Sequence, residues 1–193
     1  MDDKKFNLLD EPWICVMKEN GEVKELSLMD VLLHAHQYRR LAGELPTQDV
    51  AVLRLLLAVL QTVVYRYDTD GNEDELVETE DAYERWKEIW NDGKLPDKPI
   101  QEYLTKWKAR FYLYDSDRPF YQVPKAAIGT ECKAAKLNGE ISESSNKLRL
   151  FSNRAGKEKE FLSNSEAARW LLYLNGYDDT SAKPKEKGLP SPG

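Results

Sequence analysis

The side chains of this 193-residue chain that could do chemistry are few and poorly grouped. Bond cleavage needs a nucleophile with its base, a metal cluster or a working pair of carboxylates. Asp178-Asp179 is the best carboxylate pair, but neighbours in an extended segment point opposite ways, and no His or third acid lies close enough in sequence to complete a two-metal site. Asp178 reads instead as a turn or cap residue that holds Thr180–Lys183 in place. His34 and His36 are two positions apart, about 200° around a helix, and cannot share a metal. The run from Asp68, DTDGNED, is superficially like a calcium loop but lacks its closing Glu between two amphipathic helices. Cys15 and Cys132 read as inert thiols rather than a disulfide. GxSxG, HExxH, GxGxxG, Walker A and CxxC motifs are all absent. The chain is therefore expected to be neither an enzyme nor a holder of metal or cofactor.

Binding is better provided for. Residues 145–159 hold Lys147, Arg149, Arg154, Lys157 and Lys159 against Glu158 alone, in a chain whose net charge is −6. A basic loop on an acidic body marks a local nucleic-acid contact rather than a surface coated with it. Within it Ser152, Asn153 and Arg154 supply donors to phosphate, Lys157 and Lys159 supply counter-charge, and Phe151 either stacks on an exposed base or anchors the loop at its root.

The elements around this stretch are mostly helical. Pro12–Met17 and Glu22–Leu26 flank Asn20-Gly21 and read as a β-hairpin, because Asn-Gly accepts the positive φ of a tight turn. Ser27 and Asp30 form the start of a helix to about Tyr38. Thr47 is placed to cap a core helix through Tyr65, with Val50, Leu53, Leu56, Leu57, Leu60, Val63 and Val64 on its apolar face. Asp68–Asp81 reads as a solvated acidic loop. Tyr83, Trp86 and Trp90, then Ile100, Tyr103, Leu104, Trp107 and Phe111, repeat at helical spacing and are expected to be core. Pro99 suits the first turn of its helix. Val123–Leu137 reads as loop with a short strand. Ser163-Asn-Ser-Glu166 is a capping box for a helix that buries Ala168, Leu171 and Leu172 and ends near Gly176.

With 41% apolar and 32% charged residues and ample Tyr and Trp, the chain can bury a core and is not a disordered polymer. Its longest apolar run, Val50–Val64, is shorter than the roughly 20 residues a membrane span needs. No signal-peptide pattern opens the chain. A protein with no membrane association, acting in the cytoplasm, is expected. Residues 1–184 read as one domain and 185–193, KEKGLPSPG, as a linker, as though the chain were the first portion of a longer protein.

Five blocks carry a family resemblance: FNLLDEPWI (Phe6–Ile14), RRLAGELPTQDVAVLRLLLA (Arg39–Ala58), RPFYQ (Arg118–Gln122), LNGEISESSNKLRLFS (Leu137–Ser152) and AARWLLYLNGYDDTSAKP (Ala167–Pro184). In this order they resemble CasA, the large-subunit family of the type I-E CRISPR surveillance complex, Cascade. The resemblance implies an α+β fold: a mixed, mostly helical domain with a small antiparallel β-hairpin or sheet, and a C-terminal four-helix bundle that lies beyond this sequence. It implies a nucleic-acid-recognition subunit that reads the protospacer-adjacent motif from the minor-groove side, helps to bind target DNA and supports recruitment of the helicase-nuclease in antiviral defence. The implied partners are other Cascade subunits, the CRISPR guide RNA, double-stranded target DNA and the helicase-nuclease; guide pairing reads the sequence itself. Carried over by position, the family's loop beside RNA handle and motif DNA begins at Phe151, with Ser152, Asn153 and Arg154 at its root and Lys157 and Lys159 further out. The small-residue loop that approaches the minor groove corresponds to Thr180, Ser181, Ala182 and Lys183, without the glycine run some relatives have there. Two other readings compete: a protein-interaction scaffold whose aromatic helices dock a neighbour, and a metal-dependent nuclease using Asp178 and Asp179.

Overall fold

A computed structural model describes residues 5–124, 134–137, 154, 158 and 160–177. The fold is α+β, as expected, with small antiparallel sheets set against a helical body. Strand β1 (Lys5–Asn7) pairs with β5 (Tyr112–Tyr114), Lys5 opposite Tyr114 and Asn7 opposite Tyr112. Strands β2 (Ile14–Met17) and β3 (Val23–Leu26) form the hairpin, and β4 (Arg40–Leu41) adds to the other edge of β2. The turn is longer than a two-residue Asn-Gly loop. Lys18 N–H donates to Glu22 O at 3.0 Å, and only Gly21 goes left-handed, at φ 85°. Such three-residue loops need one glycine-like position, and Asn20 instead accepts from Glu22 N–H through its side chain at 3.0 Å.

Helix α1 (Leu28–Leu33) is capped by the Ser27 hydroxyl, which accepts from Asp30 N–H at 3.0 Å. It stops well before Tyr38, giving way at His34 to a 3-10 turn, Ala35–Gln37. Helix α2 (Pro46–Arg66) opens on Pro46, whose missing N–H costs nothing in a first turn; Thr47 lies inside the helix and is not its cap. The orphan donors ahead of α2 are instead met from within it. Gly43 N–H donates to Asp49 Oδ1 at 2.7 Å and Glu44 N–H to Gln48 Oε1 at 3.2 Å. At 21 residues, α2 has the length and apolar composition of a membrane span, yet one face packs on two later helices, Asp97–Trp107 and Asn164–Tyr177. Its buried face is Ala51, Val52, Leu55, Leu56, Val59 and Val63. Val50, Leu53 and Leu57, expected on that face, are exposed.

The acidic stretch after α2 is a structured turn. Asp68 accepts from Asn72 N–H at 2.7 Å and from Asn72 Nδ2 at 2.8 Å, Gly71 sits at φ 88°, and Tyr67 bridges to Glu73. Helices α3 (Thr79–Asp92) and α4 (Asp97–Trp107) follow. Ile100 and Leu104 enter the core, as does Phe111, which stacks on Phe120 at 5.7 Å. In α3, by contrast, Tyr83, Trp86 and Trp90 face outward, against expectation. Helix α5 (Ala134–Leu137) lies within the stretch that reads as loop with a short strand. Helix α6 (Asn164–Tyr177) has its capping box, Glu166 N–H to Ser163 Oγ at 3.2 Å and Ser163 N–H to Glu166 Oε2 at 2.7 Å. It runs through Gly176, which is helical and not a terminator.

The core joins all of this. Leu8 just after β1, Trp13 just before β2 and Leu28 of α1 meet α2, α4 and Ala168 and Leu172 of α6. The FNLLDEPWI block builds its edge: Asn7 Oδ1 accepts from Leu9 N–H at 3.0 Å, its Nδ2 donates to Lys108 O at 3.1 Å, and the buried Trp13 indole donates to Leu8 O at 2.9 Å.

Candidate nucleic-acid interface

Of the residues that the sequence singles out for nucleic-acid contact, Arg154 is the one within the described structure. Phe151, Ser152, Asn153, Lys157, Lys159, Thr180, Ser181, Ala182 and Lys183 lie outside the described residues, as do Asp178 and Asp179. Arg154 is built in from three directions. Its Nη2 and Nε meet Glu44 Oε1 and Oε2 at 2.6 and 3.2 Å, a two-pronged pairing, and Nη2 also reaches Glu166 Oε1 at 2.9 Å. Its Nη1 donates to Glu158 O at 3.2 Å. The side chain is 9% exposed. The planar fork of a guanidinium matches two carboxylates better than an ammonium could.

Each partner is itself held. Glu44 sits in the loop that Gln48 and Asp49 tie down, and its Oε1 also accepts from the Trp170 indole at 3.1 Å. Burial pushes the Glu166 carboxyl up, but the Ser163 N–H, the Ser163 hydroxyl and the Arg154 guanidinium outweigh it and hold that carboxyl below the usual glutamate range. Burial also opposes the charge of Arg154, and Glu44 and Glu166 more than offset it. The assembly is a clamp. It fastens the chain at Arg154 to the N-terminal turn of α6 and to the entrance of α2, using charge that two carboxylates already neutralise.

One turn further along α6, Arg169 is buried and donates through Nη1 to Trp13 O and to Glu25 Oε1, both at 2.6 Å. The Cys15 thiol lies beside it, 3.7 Å from Glu25, and burial pushes its pKa up to about 11. It is free and a poor nucleophile, in keeping with the inert reading; Cys132 lies outside the described residues. Among the described residues no three His, Cys, Asp or Glu side chains are grouped to hold a metal ion.

The family model described as CRISPR-associated protein Cse1 matches residues 7–191, nearly the whole chain. This chain belongs to the Cse1 family. The CRISPR-associated protein CasA/Cse1 of Thermus thermophilus is 33% identical over 169 residues, 88% of this chain and 31% of the relative. The crystal structure of Thermobifida fusca Cse1 superposes with a TM-score of 0.73 at 34% identity, over 97% of this chain and 34% of that one. A chain in a CRISPR RNA-guided surveillance complex, pre-nicking, shares the fold at a TM-score of 0.71 and 19% identity, covering 89% of this chain and 34% of its own length. The Cse1-family chain thus spans about a third of the length of these relatives.

Sequence reasoning did not find Glu44, Trp170, Arg169 or Arg85 as structural actors. Glu44 and Trp170 fall inside blocks that carry the family resemblance, AGELP and AARW, and that was their only signal in the Cse1-family sequence. No local period links residues 110 and 126 positions apart, the separations of the Arg154–Glu44 and Trp170–Glu44 contacts.

Proposed function

We propose that this chain serves in a CRISPR RNA-guided surveillance complex, where it helps to recognise the protospacer-adjacent motif, to hold target DNA and to recruit the helicase-nuclease, without cutting DNA itself. The observation that carries the reading is the match to the Cse1 family over residues 7–191. The partners are other subunits of the complex, the guide RNA and duplex DNA, and the place of action is the cytoplasm, away from membranes.

Two segments make the contact in this proposal. Phe151, Ser152, Asn153, Lys157 and Lys159 lie to the N-terminal side of α6, and Thr180, Ser181, Ala182 and Lys183 follow its C-terminus. A 14-residue helix is about 20 Å long, so the attachment points of the two segments stand about six base-pair rises apart. In this proposal a duplex lying along α6 passes both attachment points. Arg154, whose charge is met by Glu44 and Glu166, acts as a positioning residue at the root, and Lys157 and Lys159 supply the phosphate contacts.

The test is target binding by the assembled complex across a salt series, with the substitutions made in the full-length subunit. Lys157→Ala/Lys159→Ala is expected to weaken binding and to flatten the log–log salt dependence by about 1.8, roughly 0.9 for each lost phosphate contact. Arg154→Ala is expected to weaken binding while keeping the wild-type slope, because no phosphate contact is removed. An unchanged affinity and slope in the double-lysine variant would sink the assignment of the basic segment.

A further inference from the structure

Glu44 lies in the loop between β4 and α2, and the backbone there leaves it one place to stand. Ala42 N–H donates to Cys15 O at 2.9 Å, which ties the loop to β2. Gly43 N–H and Glu44 N–H are taken by Asp49 Oδ1 and Gln48 Oε1, both in the first turn of α2. A Cβ at Gly43 would stand 2.7 Å from Asp49 Oδ1 and 2.8 Å from Gln48 Oε1, so a glycine is what lets both acceptors close on the loop. The Glu44 side chain is fixed as closely. Its Oε1 accepts from the buried Trp170 indole at 3.1 Å as well as from Arg154 Nη2 at 2.6 Å, and its Oε2 accepts from Arg154 Nε at 3.2 Å.

That carboxylate holds more than a guanidinium. Arg154 Nη1 donates to Glu158 O at 3.2 Å, and Glu158 is the residue between Lys157 and Lys159. The path therefore runs from Glu44 through Arg154 to the backbone that carries both lysines. Burial works against the charge of Arg154, and Glu44 offsets it more than Glu166 does. A planar fork gripped by two carboxylate oxygens has one orientation, which the same long side chain would not keep without them. We infer that Glu44 is a positioning residue for the basic segment, aiming Lys157 and Lys159 by the hold it keeps on Arg154. This rests on the phosphate contacts proposed above for those two lysines. Charge alone predicts the opposite sign. A carboxylate that only stood near the duplex would repel it, and its removal would strengthen binding.

The measurement is target-duplex binding by the assembled complex, with Glu44→Gln made in the full-length subunit. It is made in two backgrounds, wild type and Lys157→Ala/Lys159→Ala. Glutamine keeps the shape of the side chain and an oxygen for the Trp170 indole, and loses the charge that grips the fork. Glu44→Gln is expected to weaken binding about fivefold in the wild-type background, a coupling ordinary for members of one network, and to change nothing further once the lysines are gone. Trp170→Phe removes the other donor to Glu44 Oε1 while keeping a buried ring, and is expected to act in the same direction with a smaller loss. Unchanged or stronger binding by Glu44→Gln overturns the inference. So does an equal loss in both backgrounds, which is how a general failure of folding behaves. If Lys157→Ala/Lys159→Ala by itself binds as the wild type does, the proposed phosphate contact fails and the positioning role falls with it. A loss in the lysine variant with none in Glu44→Gln overturns the positioning role alone.

Discussion

Arg154 shows how a basic residue in a basic stretch can be spent on architecture. Its fork faces Glu44 and Glu166 with the side chain 9% exposed, while each carboxylate is about a quarter exposed. Composition could place five basic residues in one stretch, but it could not say which of them has carboxylates waiting, because Glu44 is 110 positions away. The pair has a pH signature. The Glu166 carboxyl is held below its ordinary value of 4.5 in the folded protein, so between that value and the depressed one the unfolded chain binds more protons than the native one. The stability from Glu166 is therefore complete above about pH 4.5 and is lost as pH falls through the folded-state value. Urea unfolding followed from pH 6 to pH 3 is expected to show wild-type stability dropping once the pH is below about 4.5. Glu166→Gln should begin less stable and fall more shallowly there. Parallel pH profiles for the two proteins would mean that the carboxylate is not held by its neighbours.

At the scale of elements, the existence and kind of the longer helices were legible, and so were the hairpin and the capping box of α6. Which way two of the helices face was not. Helix α2 is apolar nearly all round, so period alone allows several inward stripes, and contacts with α4 and α6 select Leu55, Leu56, Val59 and Val63. Helix α3 offers a clean aromatic stripe, and yet buried hydrogen bonds from Arg85 to two carbonyls fix its orientation. Burial of a polar anchor that finds all its partners can override an apolar period, since leaving those groups unpaired costs more than exposing rings. Adjacent leucines of α2 test the facing. Leu56 is 7% exposed and Leu57 is 51% exposed. Leu56→Ala is expected to cost about 2–5 kcal/mol of unfolding free energy and Leu57→Ala no more than about 0.5. Equal costs in urea titrations would mean that α2 is rotated from its described facing.

Over the whole molecule, α6 is the late element that closes the fold. It packs along α2, its first turn is clamped through Glu166 and Arg154, and Arg169 reaches across 156 positions to the Trp13 carbonyl at 2.6 Å and also to Glu25 of the hairpin. An N-terminal hairpin of two four-residue strands has little means of standing alone. Its stability must come from Trp13 and Ile14 in the core and from this arginine, which makes hairpin and α6 one cooperative unit rather than two. Arg169→Ala removes the donor to the buried Trp13 carbonyl and the cation beside Glu25, whose side chain is 39% exposed, and is expected to cost about 1–3 kcal/mol, the range for leaving one buried acceptor unsatisfied. Hydrogen exchange separates a cooperative loss from a local one. In the Arg169→Ala protein, amides of Ile14–Met17 and Val23–Leu26 should lose protection together with those of α6, and by the same factor. Loss confined to α6, with the hairpin still protected, would show that the hairpin draws its stability from the core alone and that the two segments unfold separately.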